Sequence, residues 1–277
     1  MRIRTIDAFA NRPFQGNPAG VCLLSMSQWP DETWMEQVAA ELNHSDTAFA
    51  LPMPPDTDAD WALRWFTPTG EVNLCGHATL ATAHALFSDD LLRNGQVRFA
   101  TKSGVLTASV TEDGEITLDF PVIPTKPISV PDGGSEALGV SIIASWDTGA
   151  FGALVAEVAD EETVRNLAPD AAAIERLEAK AVVVTAPADD AARGYDFVSR
   201  VFAPAMGISE DPVTGSAHTA LVHLWSARLN RSELTGFQVS PRSGLVRTQL
   251  KGDRVLLTGR AVTVLDGTLF ANPSGID

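Results

Sequence analysis

The sequence predicts an α+β protein of two pseudo-symmetric domains, each a curved, mostly antiparallel sheet wrapped around one central helix. Three observations carry this prediction. The chain has 277 residues, 45% of them hydrophobic, which is enough for two cores of ordinary size. It also resembles itself at half its length. Phe66-Thr67-Pro68 is matched by Phe202-Ala203-Pro204, 136 residues on, and Gly76 by Gly215, 139 residues on. Ser103-Gly104-Val105-Leu106 is matched by Ser243-Gly244-Leu245-Val246, and Asp7 by Asp147, both at 140. Short Gly and Ala words recur by chance, but four in the same order at nearly constant offset point to duplication. Finally, the order of predicted elements repeats with the words.

In each half an apolar-alternating strand comes first, as in MRIRTIDAF. An amphipathic stretch follows, Asp31–Leu42 in the first half and Ala171–Ala179 in the second. Next come short strands: Ala48–Leu51 and Ala62–Phe66, then Ala181–Thr185 and Phe197–Phe202. A longer helix rich in Ala and Leu is predicted for Gly76–Phe87 and for Gly215–Leu229, each beginning at a glycine. Three strands close each half: Val97–Ala100, Val105–Val110 and Ile116–Asp119, against Phe237–Ser240, Leu245–Leu250 and Val255–Thr258. Gly- and Asp-containing turns between them read as hairpins. Residues 121–134, with four prolines and two glycines, are expected to be a linker between a domain of residues 1–120 and one of 135–264. A last strand near 265–277 is expected to return to the first domain.

Composition excludes several functions. With 35 acidic against 20 basic side chains the net charge is −15, and no Lys/Arg cluster supplies the basic patch that nucleic acid needs. No run approaches the roughly 18 apolar residues of a membrane helix, and the N-terminus lacks a signal-peptide core. Two cysteines, Cys22 and Cys75, cannot form a disulfide framework, so a reducing cytoplasm is expected. Cys22, in Val21-Cys22-Leu23-Leu24, reads as a core strand residue, and GxGxxG and GxxxxGK[ST] are both absent.

Duplication places equivalent loops opposite each other across an interdomain cleft, where ligands prefer to bind. Those loops are Leu74-Cys75-Gly76-His77 and Asp211-Pro212-Val213-Thr214-Gly215-Ser216. Each enters a helix through glycine, so unpaired N–H groups and a positive dipole end can hold an anionic substrate or developing enolate. Nearby, Asp46 is either a proton-transfer group or a turn residue. His77 can act as a neutral proton-shuttling imidazole. Asp211 either orients substrate or fixes its turn. No metal is expected: His77 and His84 stand roughly 10.5 Å apart along a helix, and Cys75-Gly76-His77 alone offers two donors. A hydrolase triad of Ser216, His218 and Asp211 lacks both the G-x-S-x-G elbow and workable helix geometry. Arg64, Arg200 and His223 read as structural or surface residues.

Gly16-Asn17-Pro18-Ala19, Ser45-Asp46-Thr47-Ala48-Phe49, Arg64-Trp65-Phe66-Thr67-Pro68, Leu74–Ala81 and Glu210–His218 together resemble the phenazine-biosynthesis (PhzF-like) isomerase family. The resemblance runs in order from the first strand to about Gly267 and implies a fold like that of diaminopimelate epimerase. It implies cofactor-independent movement of a proton between carbons of a small carboxylated metabolite, and a homodimer. It places the general base and acid at Asp46, where the family has glutamate. That change retracts the carboxylate by about one C–C bond, roughly 1.5 Å, and misplacement on that scale costs about 100-fold if nothing compensates. It further implies catalytic roles for His77 and Asp211, substrate contacts from Ser216, and backbone donors at Gly76, Ala78, Gly215 and Ala217. Two-thiol epimerases of this fold carry a cysteine at each helix start; here the positions hold Cys75 and Thr214. Two alternatives stay open: an epimerase or racemase that depends on Cys75, and a catalytically silent relative that binds a ligand or protein.

Overall fold

The computed structural model describes residues 1–271 and Pro273. The chain forms two compact units, Met1–Asp119 together with the stretch from Thr258, and Phe120–Leu257.

In the first unit β1 (Arg2–Ala8) pairs antiparallel with β2 (Asn17–Leu23), placing Ala8 opposite Asn17. The turn between them needs glycine: Gly16 has φ +67°, and a Cβ there would lie 2.1 Å from the Ala8 carbonyl oxygen. After α1 (Glu32–Leu42), β3 (Asp46–Pro52) runs parallel to β2, with Asp46 opposite Ala19. Asp31 caps α1 by accepting from the Thr33 N–H. β4 (Trp61–Thr67) is antiparallel to β3, and the short β5 (Gly70–Val72) folds back on it. The chain crosses through α2 (Gly76–Ser88) to β6 (Gln96–Thr101), parallel to β4, and finishes with antiparallel β7 (Gly104–Val110) and β8 (Ile116–Pro121). A parallel neighbour requires such a crossover, which is why each helix sits where it does.

α2 is apolar on every face: nearly all of its side chains from His77 to Leu86 are buried. A helix of that composition must be enclosed, and α2 touches β1, β2, β3 and β7 of the one sheet. The sheet therefore curves around it. A second layer lies on the other face, where α1 packs Met35, Val38 and Ala39 with Cys22, Phe49 and Phe66.

The second unit repeats this plan. β9 (Lys126–Ile128) pairs with β10 (Ala144–Asp147), and β10 with β11 (Ala153–Glu157), both antiparallel; α3 (Gly134–Leu138) lies between β9 and β10. Past α4 (Glu161–Arg165) and α5 (Ala171–Glu175), β12 (Ala181–Pro187) is parallel to β11 and β13 (Phe197–Ala203) antiparallel to β12. The short β14 (Ile208–Asp211) folds back on β13. The crossover α6 (Gly215–Leu229) leads to β15 (Glu233–Gln238), parallel to β13, followed by antiparallel β16 (Gly244–Lys251) and by β17 (Arg254–Gly259). α6 is enclosed as α2 is, with Ala217–Val222 buried. The last strand, β18 (Ala261–Thr268), returns to the first unit and pairs antiparallel with β1.

Four sequence expectations need correction. Residues 121–134 are not a free linker, because β8 extends to Pro121, β9 occupies 126–128 and α3 starts at Gly134. The prolines misled: Pro127 lies opposite Trp146 in an end strand, where a missing N–H is tolerated. The amphipathic stretch from Ala171 stops being helical after Glu175, and Glu178 adopts φ +55°. The strand expected at 237–240 runs instead from Glu233 to Gln238. Asp46, read as preceding a strand, is the first residue of β3. Of the last expected strand, Asn272 and residues 274–277 lie outside the described residues.

Candidate active site

Local folding brings three chemically distinct side chains together at the start of α2. Cys75 is its N-cap residue, in extended conformation (φ −143°, ψ 112°), and makes no side-chain cap hydrogen bond. The first N–H groups of the helix, at Gly76, His77 and Ala78, thus have neither intrahelical nor capping acceptors. His77 points back to Asp46 at the start of β3, its Nε2 standing 3.7 Å from Asp46 Oδ2. The Cys75 Sγ is 3.4 Å from His77 Nδ1 and 4.0 Å from Nε2. All three residues are buried, and the Asp46 side chain keeps 12% of its surface exposed.

Burial, reinforced by the nearby His44, pulls the His77 pKa down from 6.5 to about 3. The imidazole is therefore neutral at physiological pH, with one N–H and one acceptor nitrogen. Its neighbours decide which is which. Ser45 Oγ lies 3.4 Å from Asn17 Oδ1, to which its hydroxyl donates, and 3.3 Å from His77 Nε2. Ser45 then accepts from the Nε2–H, leaving Nδ1 to accept from the Cys75 thiol. This assignment follows from the hydrogen-bond pattern. The Ser45 contacts, at 3.3 and 3.4 Å, are longer than ordinary oxygen and nitrogen hydrogen bonds. Such a chain can pass a proton and tighten on a ligand.

The start of α6 is built differently. Thr214 is its N-cap, again extended and without a side-chain cap bond (φ −109°, ψ 101°). Its hydroxyl donates to Asp211 Oδ2, and its N–H donates to Gln238 Oε1 at 2.9 Å. Gln238 Nε2 in turn donates to the Asp211 carbonyl at 2.6 Å. Ser240 donates to the Pro212 carbonyl at 2.7 Å. His218, one turn into the helix, bonds the Thr214 carbonyl through Nδ1 at 2.8 Å, and burial pulls its pKa down to about 4. Gly215 and Ala217 are buried and Ser216 half-buried.

A matched pair of ionic clamps holds the two helix starts. Arg64 grips Glu71 through two bonds of 2.8 and 2.6 Å, and Arg200 grips Glu210 through two of 2.7 and 2.8 Å. Each guanidinium also lies over the ring two residues on, Phe66 at 5.1 Å and Phe202 at 5.0 Å. Each glutamate stands four residues before the N-cap of its helix. The arginines read as structural or surface from the sequence are thus largely buried structural anchors.

The structure gathers Asp46, Cys75, Gly76, His77 and Ala78 in one unit. It gathers Asp211, Thr214, Gly215, Ser216 and Ala217 in the other. Sequence reasoning did not single out Asn17, Ser45, Gln238 or Ser240. Asn17 and Ser45 lay within the quoted motifs, beside Gly16 and Asp46. Gln238 and Ser240 come from β15 and the residues after it, and no local pattern marks them. Asp46 also makes a third potential metal donor, which the spacing of Cys75 and His77 had not revealed.

Two enclosed helices in duplicated curved sheets, one of them opening beside a carboxylate and an imidazole, define a protein of the epimerase-like fold. Comparison narrows this further. The profile of the family described as phenazine biosynthesis-like protein matches residues 6–267. An uncharacterized isomerase of Pseudomonas aeruginosa is 43% identical over 270 residues, covering 97% of this chain and 98% of its own. The crystal structure of a PhzF-family phenazine biosynthesis protein of Enterococcus faecalis superposes with a TM-score of 0.89 at 39% identity, covering 98% and 99% of the two chains. A predicted epimerase of Pseudomonas aeruginosa, at 22% identity and a TM-score of 0.74 over 98% and 99%, shows the shared fold. The chain belongs to the phenazine biosynthesis-like (PhzF) family.

Proposed function

We propose that this isomerase moves a proton between two carbons of a small carboxylated metabolite without a cofactor, with Asp46 as base and then acid. The observation that supports this most is the Asp46 carboxylate, 3.7 Å from a neutral His77 at a helix start with no side-chain cap. In the forward step a C–H bond next to a carbonyl, carboxylate or diene breaks and an O–H bond forms on Asp46. The electron pair delocalises into the substrate as an enolate or extended anion, held by the N–H groups of Gly76 and Ala78. In the return step the Asp46 O–H bond breaks and a C–H bond forms at another carbon. Nothing is oxidised or reduced. His77 positions the substrate and relays protons with Ser45, whose hydroxyl Asn17 orients. Asp211 positions the substrate and relays protons, Ser216 contacts it, and the N–H groups of Gly215 and Ala217 hold its carboxylate. The reading also takes the enzyme as a cytoplasmic homodimer of two epimerase-like domains.

A panel of small carboxylates incubated in deuterated water tests it. Mass spectrometry should find deuterium at a carbon of one of them with the wild type and none with Asp46→Asn. Equal exchange by Asp46→Asn removes Asp46 from the mechanism. A second reading, favoured by the 3.4 Å contact between Cys75 and His77, makes Cys75 the acid/base of an epimerase. Cys75→Ala separates the two: full activity in that variant excludes it.

A further inference from the structure

We propose that Asp46, Cys75 and His77 form a binding site for a thiophilic divalent cation such as zinc, and that its occupation silences the enzyme. One oxygen, one sulfur and one imidazole nitrogen from these buried residues lie within 4.8 Å of one another. Tetrahedral zinc with bonds of about 2.0–2.3 Å sets its nitrogen and sulfur ligands about 3.6 Å apart, and its nitrogen and oxygen about 3.4 Å apart. The corresponding separations here are 4.0 Å from Nε2 to Sγ and 3.7 Å from Nε2 to Oδ2. Shifts of a few tenths of an ångström bring these two separations to the tetrahedral values, and side-chain rotation within the 4.8 Å cluster brings the sulfur and the carboxylate oxygen together as the remaining edge.

The donor chemistry also fits. A thiolate, a neutral imidazole and a carboxylate are the ligand types zinc takes, and the two anions together cancel its charge at a buried position. Ser45 Oγ, 3.3 Å from Nε2, stands beside the three donors. On binding, the Cys75 S–H bond breaks and a metal–sulfur bond forms, the His77 proton moves from Nε2 to Nδ1 so that Nε2 can bind the metal, and one proton leaves to solvent; no electrons are exchanged. Cys22 cannot compete, being fully buried with its thiol pushed up to about 12 by desolvation. Zinc binding follows from the geometry alone, whereas the loss of turnover rests on the reading of Asp46 as base.

Calorimetry of the full chain with zinc chloride in two buffers of different ionisation enthalpy tests the binding. The expected result is one zinc per chain, with Kd below about 1 µM and release of about one proton. Cobalt chloride should give a sulfur-to-cobalt charge-transfer band. Cys75→Ser and Asp46→Asn should each weaken zinc binding at least about 100-fold, because even outer-shell partners of metal ligands cost 10–100-fold. Cys22→Ser should bind zinc like the wild type. Absence of wild-type binding at this strength overturns the proposal, as does binding indifferent to Cys75→Ser in a variant that melts cooperatively. Zinc that binds as expected but leaves turnover intact overturns the silencing and, separately, the reading of Asp46.

Discussion

The starts of α2 and α6 share a scaffold and differ in what the scaffold is used for. Both follow a short back-folded strand, both begin at an extended N-cap residue without a side-chain cap, and both are anchored by an arginine–glutamate clamp. At α2 the polar groups are loosely connected, with contacts of 3.3–3.7 Å among Asp46, Ser45, Cys75 and His77. At α6 the groups are locked: Thr214 bonds to Asp211 and Gln238, and Gln238 bonds back to the Asp211 carbonyl. Long contacts can tighten on a ligand, while short ones fix a backbone. The duplicated framework thus carries longer polar contacts at one start, where the proton transfer is proposed, and a hydrogen-bonded, fixed loop at the other.

The largest expected effect breaks this comparison directly. Asp46→Asn should lower turnover by about 10²–10⁴-fold, the usual contribution of a general acid/base. Asp211→Asn should cost less, because its side chain fixes a loop through Thr214. Steady-state rates and deuterium exchange for the two variants check the order. Equal losses would mean that the two starts share the proton transfer.

The clamps come next. Removing one partner of a buried ion pair costs about 3–5 kcal/mol, since the other charge is left uncompensated. Arg200 should stand at the upper end of this range, because it also donates to the Leu167 carbonyl at 2.7 Å and to the Val164 and Arg165 carbonyls at 3.4 Å. The extra partner of Arg64 is the exposed Glu32. Urea unfolding of Arg200→Met and Arg64→Met should show the larger loss for Arg200.

Acid should affect both starts through His77 and His218. Their folded pKa values, about 3 and about 4, lie below the free value of 6.5 because both rings are buried. Between 6.5 and those values the unfolded chain binds protons that the folded chain refuses. Stability is then complete above pH 6.5 and falls as pH drops, by about 1.4 kcal/mol per pH unit for each ring. Below about pH 4 only the His77 contribution should still grow. Unfolding curves from pH 7 to 3.5 for the wild type and His77→Gln should differ in slope by about that amount.

What the sequence makes legible follows the range of the interactions. The two enclosed helices were readable because each is rich in Ala and Leu at helical spacing and begins at a glycine. The positions of Asp46 and His77 beside a strand start and a helix start were marked by local residue types, while their meeting at 3.7 Å is a property of the folded sheet. Gln238 was not so marked: it reaches the α6 start from a strand, 24 residues after the Thr214 it bonds, and a glutamine in a strand looks like any edge residue. The grip of Arg200 on Glu210 was hidden for the same reason, since only the pairing of β13 with β14 brings them together. Pro127 was misread because edge position is a property of the finished sheet.

The smallest effect sharpens the contrast between the two N-caps. Thr214→Val keeps the shape of the side chain but removes the hydroxyl that donates to Asp211 and accepts from Gln238 Nε2 at 3.3 Å. The partially buried carboxylate loses a donor, so the change should cost about 1–3 kcal/mol. Cys75→Ser at the other start exchanges one weak donor for a better one in a contact that is already long, so it should change stability by less than about 1 kcal/mol. Thermal melts of the two variants, with turnover measured beside them, give the comparison. If the locked start is structural and the loose one chemical, Thr214→Val lowers Tm more, and only groups around Asp46 set the rate. If Cys75→Ser destabilises the fold more than Thr214→Val, the loose contacts at α2 are structural after all, and the division of labour between the two helix starts fails.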